Sequence, residues 1–405
     1  MRFLILTQYY PPEIGAPQVR LVALAGKLKT FGHDVEVVTA FPHHMRNQVY
    51  QGYARRLYMR ETIDDTVVHR TWVYPATGKG IRRLLSYLSF SVSSLFGLLR
   101  AKKPDYVFVE SPPLFLGVTA GIYSMLKQVP YIFNVSDLWP DSVLQLGALS
   151  DGMWFRLSLK LESHIYKAAR LVNATTQGIR IALTTDKGLK ADKVLYLPNG
   201  VDTELFQPAP PNEEMKSQLG LQGRSVVLYA GTHGIAQGLD ILLDAAKLLR
   251  KVNLSFLLVG DGNEKPRLMK RAQELELTNV VFLEPQPLTA MPALFSLSFV
   301  SVVPLIKRPL FKGARPSKMF ASLASGIPII FSGEGEAADL VRVNDVGIVT
   351  TPGSAEALAE AVLKLHNDPE RQSRMAINAR QLAIRDYGWD SIVGSWIREL
   401  RDRSS

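Results

Sequence analysis

The chain has 405 residues and contains no cysteine. Disulfide frameworks, zinc sites built on thiolates and cysteine nucleophiles are therefore excluded, and a reducing compartment is favoured. The sequence also has no Asp-x-Asp motif, and its His, Asp and Glu residues nowhere form a cluster at metal-ligand spacing. We therefore expect chemistry that does not need a divalent metal held in this way.

Long hydrophobic runs are missing as well. The N-terminal sequence MRFLILTQYYPPE has a short apolar run and no small-residue cleavage site, which predicts a strand rather than an export signal. The apolar stretch over residues 84–99 contains five serines and is shorter than the roughly 18 to 20 apolar residues of a spanning helix. Its flanks are basic and include Arg82, Arg83, Lys102 and Lys103.

Two interpretations fit residues 84–99. The first is an amphipathic helix that lies on an anionic membrane surface, with its cations on the lipid headgroups. The second is a core helix of the first domain with a solvated basic rim. The two are compatible, because one helix face can pack on the protein while the other meets lipid.

Acidic residues are scarce in the first half of the chain. Residues 1–200 hold 24 basic and 14 acidic side chains, whereas residues 201–405 hold 23 of each, so the whole net charge of +10 belongs to the first half. The excess is densest between Arg46 and Lys103. We expect one domain that meets an anionic partner, which is nucleic acid, an acidic membrane surface or a phosphorylated substrate.

Strand-like runs alternate with helical ones along most of the chain, which indicates an α/β fold with parallel sheets. At roughly 100 to 200 residues per domain, the length predicts two domains. We place the first at 1–196, joined by a terminal helix over 388–405, and the second at 197–387. A terminal helix that only caps its own domain is the alternative. Strands are predicted at 2–8, 34–40, 106–110, 131–135, 171–175, 225–231, 254–260, 280–284, 299–304, 327–332 and 347–350.

Three glycine-containing loops follow predicted strands. Gly15 and Ala16 precede the first helix, Gly231 to Gly238 open the second half, and a third loop contains Gly260 and Gly262. Glycine lets the backbone approach a ligand closely, and a helix N-terminus offers free N–H groups to a phosphate. The glycine spacing matches neither a Walker loop nor the dinucleotide fingerprint. Two doubly wound domains would place such loops at a cleft, and ordinary structural glycines are the alternative.

A cluster of cations precedes the helix that ends at Ser325. Arg315, Ser317 and Lys318 stand at its predicted start, followed by Met319. Cations at a helix N-terminus oppose the macrodipole, so an anion held between them explains their position. We therefore predict a diphosphate site here.

Asp137 follows a predicted strand of the first domain, in the sequence NVSDLWPD. Its carboxylate is expected at the carboxyl end of that strand, where ligands bind in open α/β sheets. Capping of the next helix is the structural alternative for the same residue.

Five segments carry a family resemblance: YYPPEIGAPQVRLVALAGKLKTFGHDVEVVT, PNGVD, AGTHGIAQGLDILLDAA, VGDGNEKPRL and PSKMFASLASGIPII. Together they resemble the GT-B family of retaining, metal-independent nucleotide-sugar glycosyltransferases, family 4, along essentially the whole chain. The segments TQYYPPEIGAPQVR, SDLWPDS and HGIAQGLD look most like the bacterial group that includes O-antigen N-acetyl-L-fucosamine transferases. The resemblance implies two Rossmann-like doubly wound domains facing across a cleft, with the C-terminal helix returning to the first domain.

Site residues are carried over from the resemblance by position. Relatives place an Arg and a Lys on the donor phosphates where this chain has Thr232 and Gln237, so we assign that charge to Lys318 and Arg315. Two glutamates of the family pattern are replaced by Gly313 and Ala321, and Glu334 or Glu336 is a guess for a substitute. The resemblance implies four sets of site residues. The catalytic set is Asp137, Lys318 and Arg315, and the donor and phosphate set is Gly15, Ala16, Gly231, Thr232, His233, Gln237, Ser317 and Met319. The base and ribose set is Gly262, Glu284, Gln286 and Ala321, and the acceptor and membrane set is Glu13, Arg82, Arg83, Lys102 and Lys103.

The function implied is transfer of a sugar, such as N-acetyl-L-fucosamine, from a UDP-type donor to a saccharide on a lipid pyrophosphate in surface polysaccharide synthesis. No cofactor and no metal are expected, and the location implied is the inner face of the bacterial plasma membrane. Three alternatives stay open: a donor-binding protein with little or no turnover, a nucleotide-sugar epimerase, and a nucleic-acid binder. The last has only the basic composition in its favour, because no nucleic-acid motif or stacking platform is recognisable.

Overall fold

The computed structural model describes residues 1–13, 15–43, 48–76, 81–141 and 152–403. The chain divides into two units. Unit 1 is Met1–Asn199 with Ile392–Ser405, and unit 2 is Gly200–Ser391. These limits lie a few residues beyond the boundaries predicted at 196 and 387.

Unit 1 contains an eight-stranded sheet in the order β3-β4-β2-β1-β5-β6-β7-β8. Neighbouring strands are parallel except for β3 and β4, which form an antiparallel pair at one edge. Strands β3, β4 and β8 were not predicted; β3 alternates exposed and half-buried residues, and β8 has only three residues. The strands are β1 Arg2–Leu6, β2 Asp34–Ala40, β3 Tyr58–Ile63, β4 Thr66–Thr71, β5 Tyr106–Ser111, β6 Tyr131–Val135, β7 Leu171–Ala174 and β8 Val194–Tyr196.

Helices of unit 1 connect the parallel strands, because two parallel strands need a crossover connection and a helix usually provides it. Helix α2 packs on β2 and β4, and Gly97 makes this approach possible because a Cβ there would lie 2.7 Å from a methyl group of Val38. The helices are α1 Ala16–Thr30, α2 Ile81–Arg100, α3 Leu116–Lys127, α4 Met153–Ala168 and α5 Gln177–Thr185. Within the described ranges, none of the helices is both long and apolar enough to cross a bilayer.

Unit 2 contains a six-stranded parallel sheet in the order β11-β10-β9-β12-β13-β14. Strand β9 shows why its sequence, SVVLYA, is apolar throughout: Val226 and Leu228 face one hydrophobic cluster, while Val227 and Tyr229 face another. Both faces of the sheet are covered, as in parallel sheets generally. The strands are β9 Ser225–Ala230, β10 Leu254–Val259, β11 Val280–Leu283, β12 Ser298–Pro304, β13 Ile329–Ser332 and β14 Gly347–Thr350.

The helices of unit 2 are α6 Glu213–Gln218, α7 Asp240–Leu248, α8 Lys265–Glu274, α9 Met291–Ser296, α10 Lys318–Ala324, α11 Glu336–Val343, α12 Ala355–His366 and α13 Pro369–Leu382. A π-helical turn over Ala383–Tyr387 follows α13. The loop with Gly231 follows β9, and the loop with Gly260 and Gly262 follows β10. The segment after β12 leads to Lys318 at the start of α10. The predicted pair of Rossmann-like α/β units is confirmed.

The terminal helix α14, Trp389–Asp402, returns to unit 1 as predicted. Trp396 is fully buried there, with its ring centroid 5.8 Å from that of Phe3 and 5.9 Å from that of Phe108. Its indole N–H donates to Oδ1 of Asn173 at 3.1 Å. A buried indole that is both packed and hydrogen-bonded anchors the helix on unit 1 and excludes the alternative in which it only caps its own domain.

Candidate functional site

Two loops lie against each other at the carboxyl ends of β9 and β10. The N–H of His233 donates to the carbonyl of Asp261 at 2.8 Å. A Cβ on Gly260 would lie 2.0 Å from the carbonyl oxygen of Gly231, and one on Gly262 would lie 2.3 Å from that of His233. Both glycines have positive φ, of 137° and 157°. The close contact between the two loops is therefore enough to explain why both positions are glycine, without any ligand. A contact of Gly262 with the base stays a prediction.

Lys318, the first residue of α10, reaches the loop after β9. Its Nζ donates to the Tyr229 hydroxyl at 2.7 Å and lies 4.3 Å from the centre of that ring. The Tyr229 hydroxyl in turn donates to the carbonyl of Thr232 at 2.5 Å. A Cβ on Gly231 would lie only 2.9 Å from Nζ. The ammonium, the phenol and the loop backbone thus form one connected group.

The ammonium of Lys318 has no carboxylate partner in the part of the chain that the structure describes. Burial lowers its pKa to about 7, because a charged ammonium is poorly solvated there. An anion placed against Nζ would favour the charged form again. Lys318 is therefore suited to bind a phosphate group. Of the neighbouring predicted donor residues, Thr232 and Ser317 are exposed and Gln237 is half-buried.

Arg315 stands in a different environment from Lys318. Its side chain is buried, its Nε lies 2.8 Å from Oε1 of Glu336, and its Nη1 donates to the Tyr387 hydroxyl at 3.1 Å. The charge of Arg315 is thus already balanced by a carboxylate. This geometry favours Lys318 over Arg315 as the phosphate ligand and gives Arg315 the task of holding the segment before α10.

The missing family glutamates have no direct replacement here. Ala321 is half-buried and packs against the hydrophobic core of unit 2. Of the two guessed substitutes, Glu336 is paired with Arg315, and Glu334 lies 2.9 Å from the ammonium of Lys307. Both carboxylates are therefore already paired with a cation, and neither is available to accept hydrogen bonds from the ribose.

The side chain of Met319, another residue of the predicted donor set, lies in the core of unit 2. Met319 is fully buried, and its N–H donates to the carbonyl of Pro316 at 3.0 Å. The helical periodicity of α10 turns this position toward the sheet. A contact of Met319 with the donor stays a prediction.

His233 is also fully buried, and neither ring nitrogen has a hydrogen-bond partner among the described residues. Burial, with the nearby charges of Lys265 and Lys318, lowers its pKa to about 4, so the ring is neutral at pH 7. The ring packs between Tyr229 and Phe282, with centroid distances of 5.6 and 6.2 Å. Its backbone, not its ring, meets the loop after β10, and its contact with the donor stays a prediction.

Lys265 also belongs to this site, although it was not among the predicted site residues. Its buried Nζ donates to the carbonyls of Gly260 and Leu283 at 2.9 and 3.3 Å and to Oε1 of Glu284 at 2.7 Å. The side chain of Gln286 donates to the carbonyl of Glu284 at 3.0 Å. Lys265 therefore fixes the ends of β10 and β11 and orients the predicted base-binding residues. The available signal was a lysine at a predicted helix start, directly after the loop that contains Gly260 and Gly262.

Unit 1 contains a buried polar network at the carboxyl ends of β5, β6 and β7. Arg20 of α1 forms an ion pair with Glu110, and Ser136 donates to the same carboxylate at 2.8 Å. Asn134 donates to Glu110 at 2.9 Å, and Asn173 donates to Asn134 at 2.6 Å. The network extends to the indole N–H of the terminal helix and ties three strands and two helices together.

The sequence did contain a signal for this network. Glu110, Asn134 and Asn173 each interrupt an apolar strand, and the sheet register pairs Glu110 with Asn134 and Asn134 with Asn173. The network also fixes Ser136, the neighbour of Asp137. Asp137 itself is exposed after β6, as expected for a residue that faces a ligand, and its role stays a prediction.

The other predicted residues of unit 1 lie in two places. Gly15 precedes α1, where a Cβ would lie 2.6 Å from Oε1 of Gln18, while the side chain of Ala16 lies outside the described part. Glu13 is buried and accepts the N–H of His43 at 2.7 Å, so its predicted contact with a membrane is wrong. A role toward the acceptor stays a prediction. The predicted cations are exposed: Arg82 and Arg83 lie in the first turn of α2, and Lys102 and Lys103 follow its end.

Two family descriptions match this chain. Residues 15–200 match "Glycosyl transferase 4-like domain" and residues 211–382 match "Glycosyl transferases group 1". The putative colanic acid biosynthesis glycosyl transferase WcaI of Escherichia coli is 28% identical over 99% of this chain and 100% of its own length. The probable glycosyltransferase WbjE of Pseudomonas aeruginosa is 24% identical over 70% of this chain and 71% of its own.

Solved structures show the same fold. Anabaena Alr3699/HepE in complex with UDP-glucose superposes with a TM-score of 0.75 at 19% identity, covering 99% of this chain and 100% of that one. WaaG, a glycosyltransferase involved in lipopolysaccharide biosynthesis, superposes with a TM-score of 0.67 at 16% identity, covering 97% and 98% of the two chains. At these identities the likeness establishes the architecture.

The Glu110 network generates a stability prediction. Glu110→Ala leaves the Arg20 guanidinium buried without its carboxylate, so we expect the free energy of unfolding of unit 1 to fall by about 3–5 kcal/mol. Urea unfolding followed by circular dichroism measures the change. Asp34→Ala is the control, because its ion pair with Arg2 is exposed at 3.3 Å and should contribute less than about 1 kcal/mol. Equal effects of the two variants would contradict a structural role for the network.

Proposed function

The chain is a glycosyltransferase of the GT-B type with a glycosyl transferase 4-like domain and a group 1 domain, and we propose which reaction it catalyses. It transfers a sugar from a nucleotide diphosphate donor, UDP in the first instance, to a hydroxyl of a saccharide carried on a lipid pyrophosphate. The anomeric configuration is retained, and no metal or cofactor takes part. The product is a step in the assembly of a bacterial surface polysaccharide such as an O-antigen, at the inner face of the plasma membrane.

The observation that carries this proposal is the ammonium of Lys318 at the loop after β9, which has no carboxylate partner in the described ranges of the chain. In the transfer, the bond between the anomeric carbon and the β-phosphate oxygen breaks while the acceptor oxygen bonds to the same carbon. The acceptor proton leaves with the departing nucleotide diphosphate. Negative charge grows on the β-phosphate, and Lys318, placed in advance and partly shielded from water, stabilises that charge. Arg315 keeps the segment before α10 in place through Glu336.

The remaining assignments have separate support. The basic surface of unit 1 favours an anionic, lipid-linked acceptor. We assign Asp137, which is exposed beside the Ser136 end of the polar network, the role of orienting the acceptor or stabilising a positively charged sugar. The choice of UDP follows the relative from Anabaena, whose structure holds UDP-glucose. The choice of an N-acetylated deoxyhexosamine such as N-acetyl-L-fucosamine rests on the motifs TQYYPPEIGAPQVR and SDLWPDS.

Acceptor-dependent transfer tests the reaction. Purified protein is incubated with UDP-, GDP- and dTDP-sugars, with and without a lipid-pyrophosphate saccharide, and with or without a metal chelator. We expect release of nucleotide diphosphate from one donor class only when the acceptor is present, and unchanged release with the chelator. Nucleotide release from no donor, or product without any acceptor, would contradict the proposal, the second result indicating hydrolysis or epimerisation.

The lowered pKa of Lys318 predicts how UDP affinity depends on pH. The diphosphate binds the charged ammonium, so above pH 7 binding requires uptake of a proton. We expect UDP affinity, measured by calorimetry, to fall by up to about tenfold per pH unit between pH 7 and pH 9. Lys318→Arg removes this dependence, because an arginine stays charged in this range.

Two further variants complete this test. Lys318→Ala removes a charge-assisted hydrogen bond and should weaken UDP binding by about ten- to a hundredfold at pH 7. Lys270→Ala is the matched control, because Lys270 is an exposed lysine of the same unit and should leave the affinity unchanged. A pH profile of Lys318→Arg that matches the unmodified protein would show that another group binds the phosphate.

A further inference from the structure

Helix α2 carries apolar side chains on its outward side as well as on its buried side, where Phe90 and Leu98 pack in the core of unit 1. Ser86, Ser91 and Ser94 face the protein and are buried, whereas Val92 is 78% exposed and Phe96 is 45% exposed. A surface helix of a globular protein normally buries its apolar stripe and exposes its polar one. The outward apolar stripe of α2 therefore does not serve the core of unit 1.

Helices α3 and α4 extend this apolar stripe across the same side of the sheet. Thr119 of α3 donates to the carbonyl of Ser91 in α2 at 2.7 Å. A Cβ on Gly117 of α3 would lie 2.5 Å from a methyl group of Ile165 in α4, so these helices are also in close contact. The outward side chains of the two helices include Met125, 77% exposed, and Trp154, 69% exposed. We call the exposed apolar side chains of α2, α3 and α4 the outer face.

The exposed charged residues of the three helices themselves are basic. Acidic residues are absent from the sequences of α2 and α3, and the one in α4, Glu162, is buried against Lys187 at 2.8 Å. The guanidinium of Arg100 lies 4.7 Å from the ring centre of Phe96, where its alkyl stem lies along the apolar surface. The exposed cations on and beside the three helices are Arg82, Arg83, Arg100, Lys102, Lys103, Lys127, Arg156 and Lys160.

We propose that the outer face docks on the interface of an anionic lipid bilayer, with α2 lying in the membrane plane. At 1.5 Å per residue the helix presents a stripe about 30 Å long. Apolar side chains enter the boundary between headgroups and acyl chains, Trp154 and Phe96 anchor at headgroup depth, and the cations pair with lipid phosphates. This inference rests on the proposed function, because a lipid-linked acceptor requires the enzyme to work at a bilayer.

A second copy of this chain fits the outer face less well. A two-fold interface places the same patch against itself, so the cations around one outer face would meet those of the other. Nucleic acid would match the cations but leave the apolar side chains without a partner. A bilayer with anionic lipids satisfies both features at once.

Vesicle flotation of the full chain tests the proposal. The lipids are phosphatidylcholine with and without phosphatidylglycerol, at low and high salt. We expect binding to the anionic vesicles, weakened by salt and by removal of phosphatidylglycerol. The double variant Val92→Ser/Met125→Ser should lower the vesicle affinity about tenfold or more. The matched control Val343→Ser/Ile377→Ser changes two exposed apolar residues of unit 2, 82% and 59% exposed, and should bind as the unmodified protein does.

Three results would overturn the proposal: no binding to anionic vesicles, equal binding by Val92→Ser/Met125→Ser, or a dimer in ultracentrifugation that this variant dissociates. Transfer to a detergent-dispersed acceptor, measured without vesicles, separates this test from the proposed function. Activity without vesicle binding would reject the outer face and leave the enzyme assignment intact. Vesicle binding without transfer from any donor would reject the enzymatic proposal instead.

Discussion

The half-buried ammonium of Lys318, which has no carboxylate partner among the described residues, is the constraint on which the donor site depends. Removing a lysine from water without such a partner is unfavourable; the pKa of Lys318 is lowered as a result, and its Nζ donates to the Tyr229 hydroxyl. Arg315, three residues earlier, is fully paired with Glu336. The two cations that the sequence places together thus have different tasks. One maintains the local structure, and the other is available to an anion.

The loops that surround Lys318 are fixed by contacts within unit 2. Backbone approaches at Gly260 and Gly262 leave no room for a side chain, and Lys265 joins the ends of two strands. Unit 1 uses the same means on its own sheet, where Glu110 and two asparagines connect three strand ends and the terminal helix. Paired charges thus support both sheets, whereas Lys318 and the exposed cations around the outer face are the charges that we assign to anionic ligands.

Much of the fold is readable from the sequence, because apolar strands and amphipathic helices alternate and parallel sheets are covered on both faces. The hairpin of β3 and β4 was not predicted, because the edge strand β3, with the sequence YMRETI, has no apolar run. The site was harder to predict. The indole of Trp396 meets Asn173 across 223 positions, a contact that no local pattern reveals. Met319 and Glu13 were assigned to binding sets by their position in a motif, and that position does not reveal that tertiary packing buries both.

A crystal structure of the protein with UDP or a non-hydrolysable UDP-sugar tests the role of Lys318 most directly. We predict a β-phosphate oxygen within about 2.7–3.2 Å of Nζ, at the loop that begins at Gly231. A diphosphate bound elsewhere, with Nζ still held only by the Tyr229 hydroxyl, would contradict the assignment.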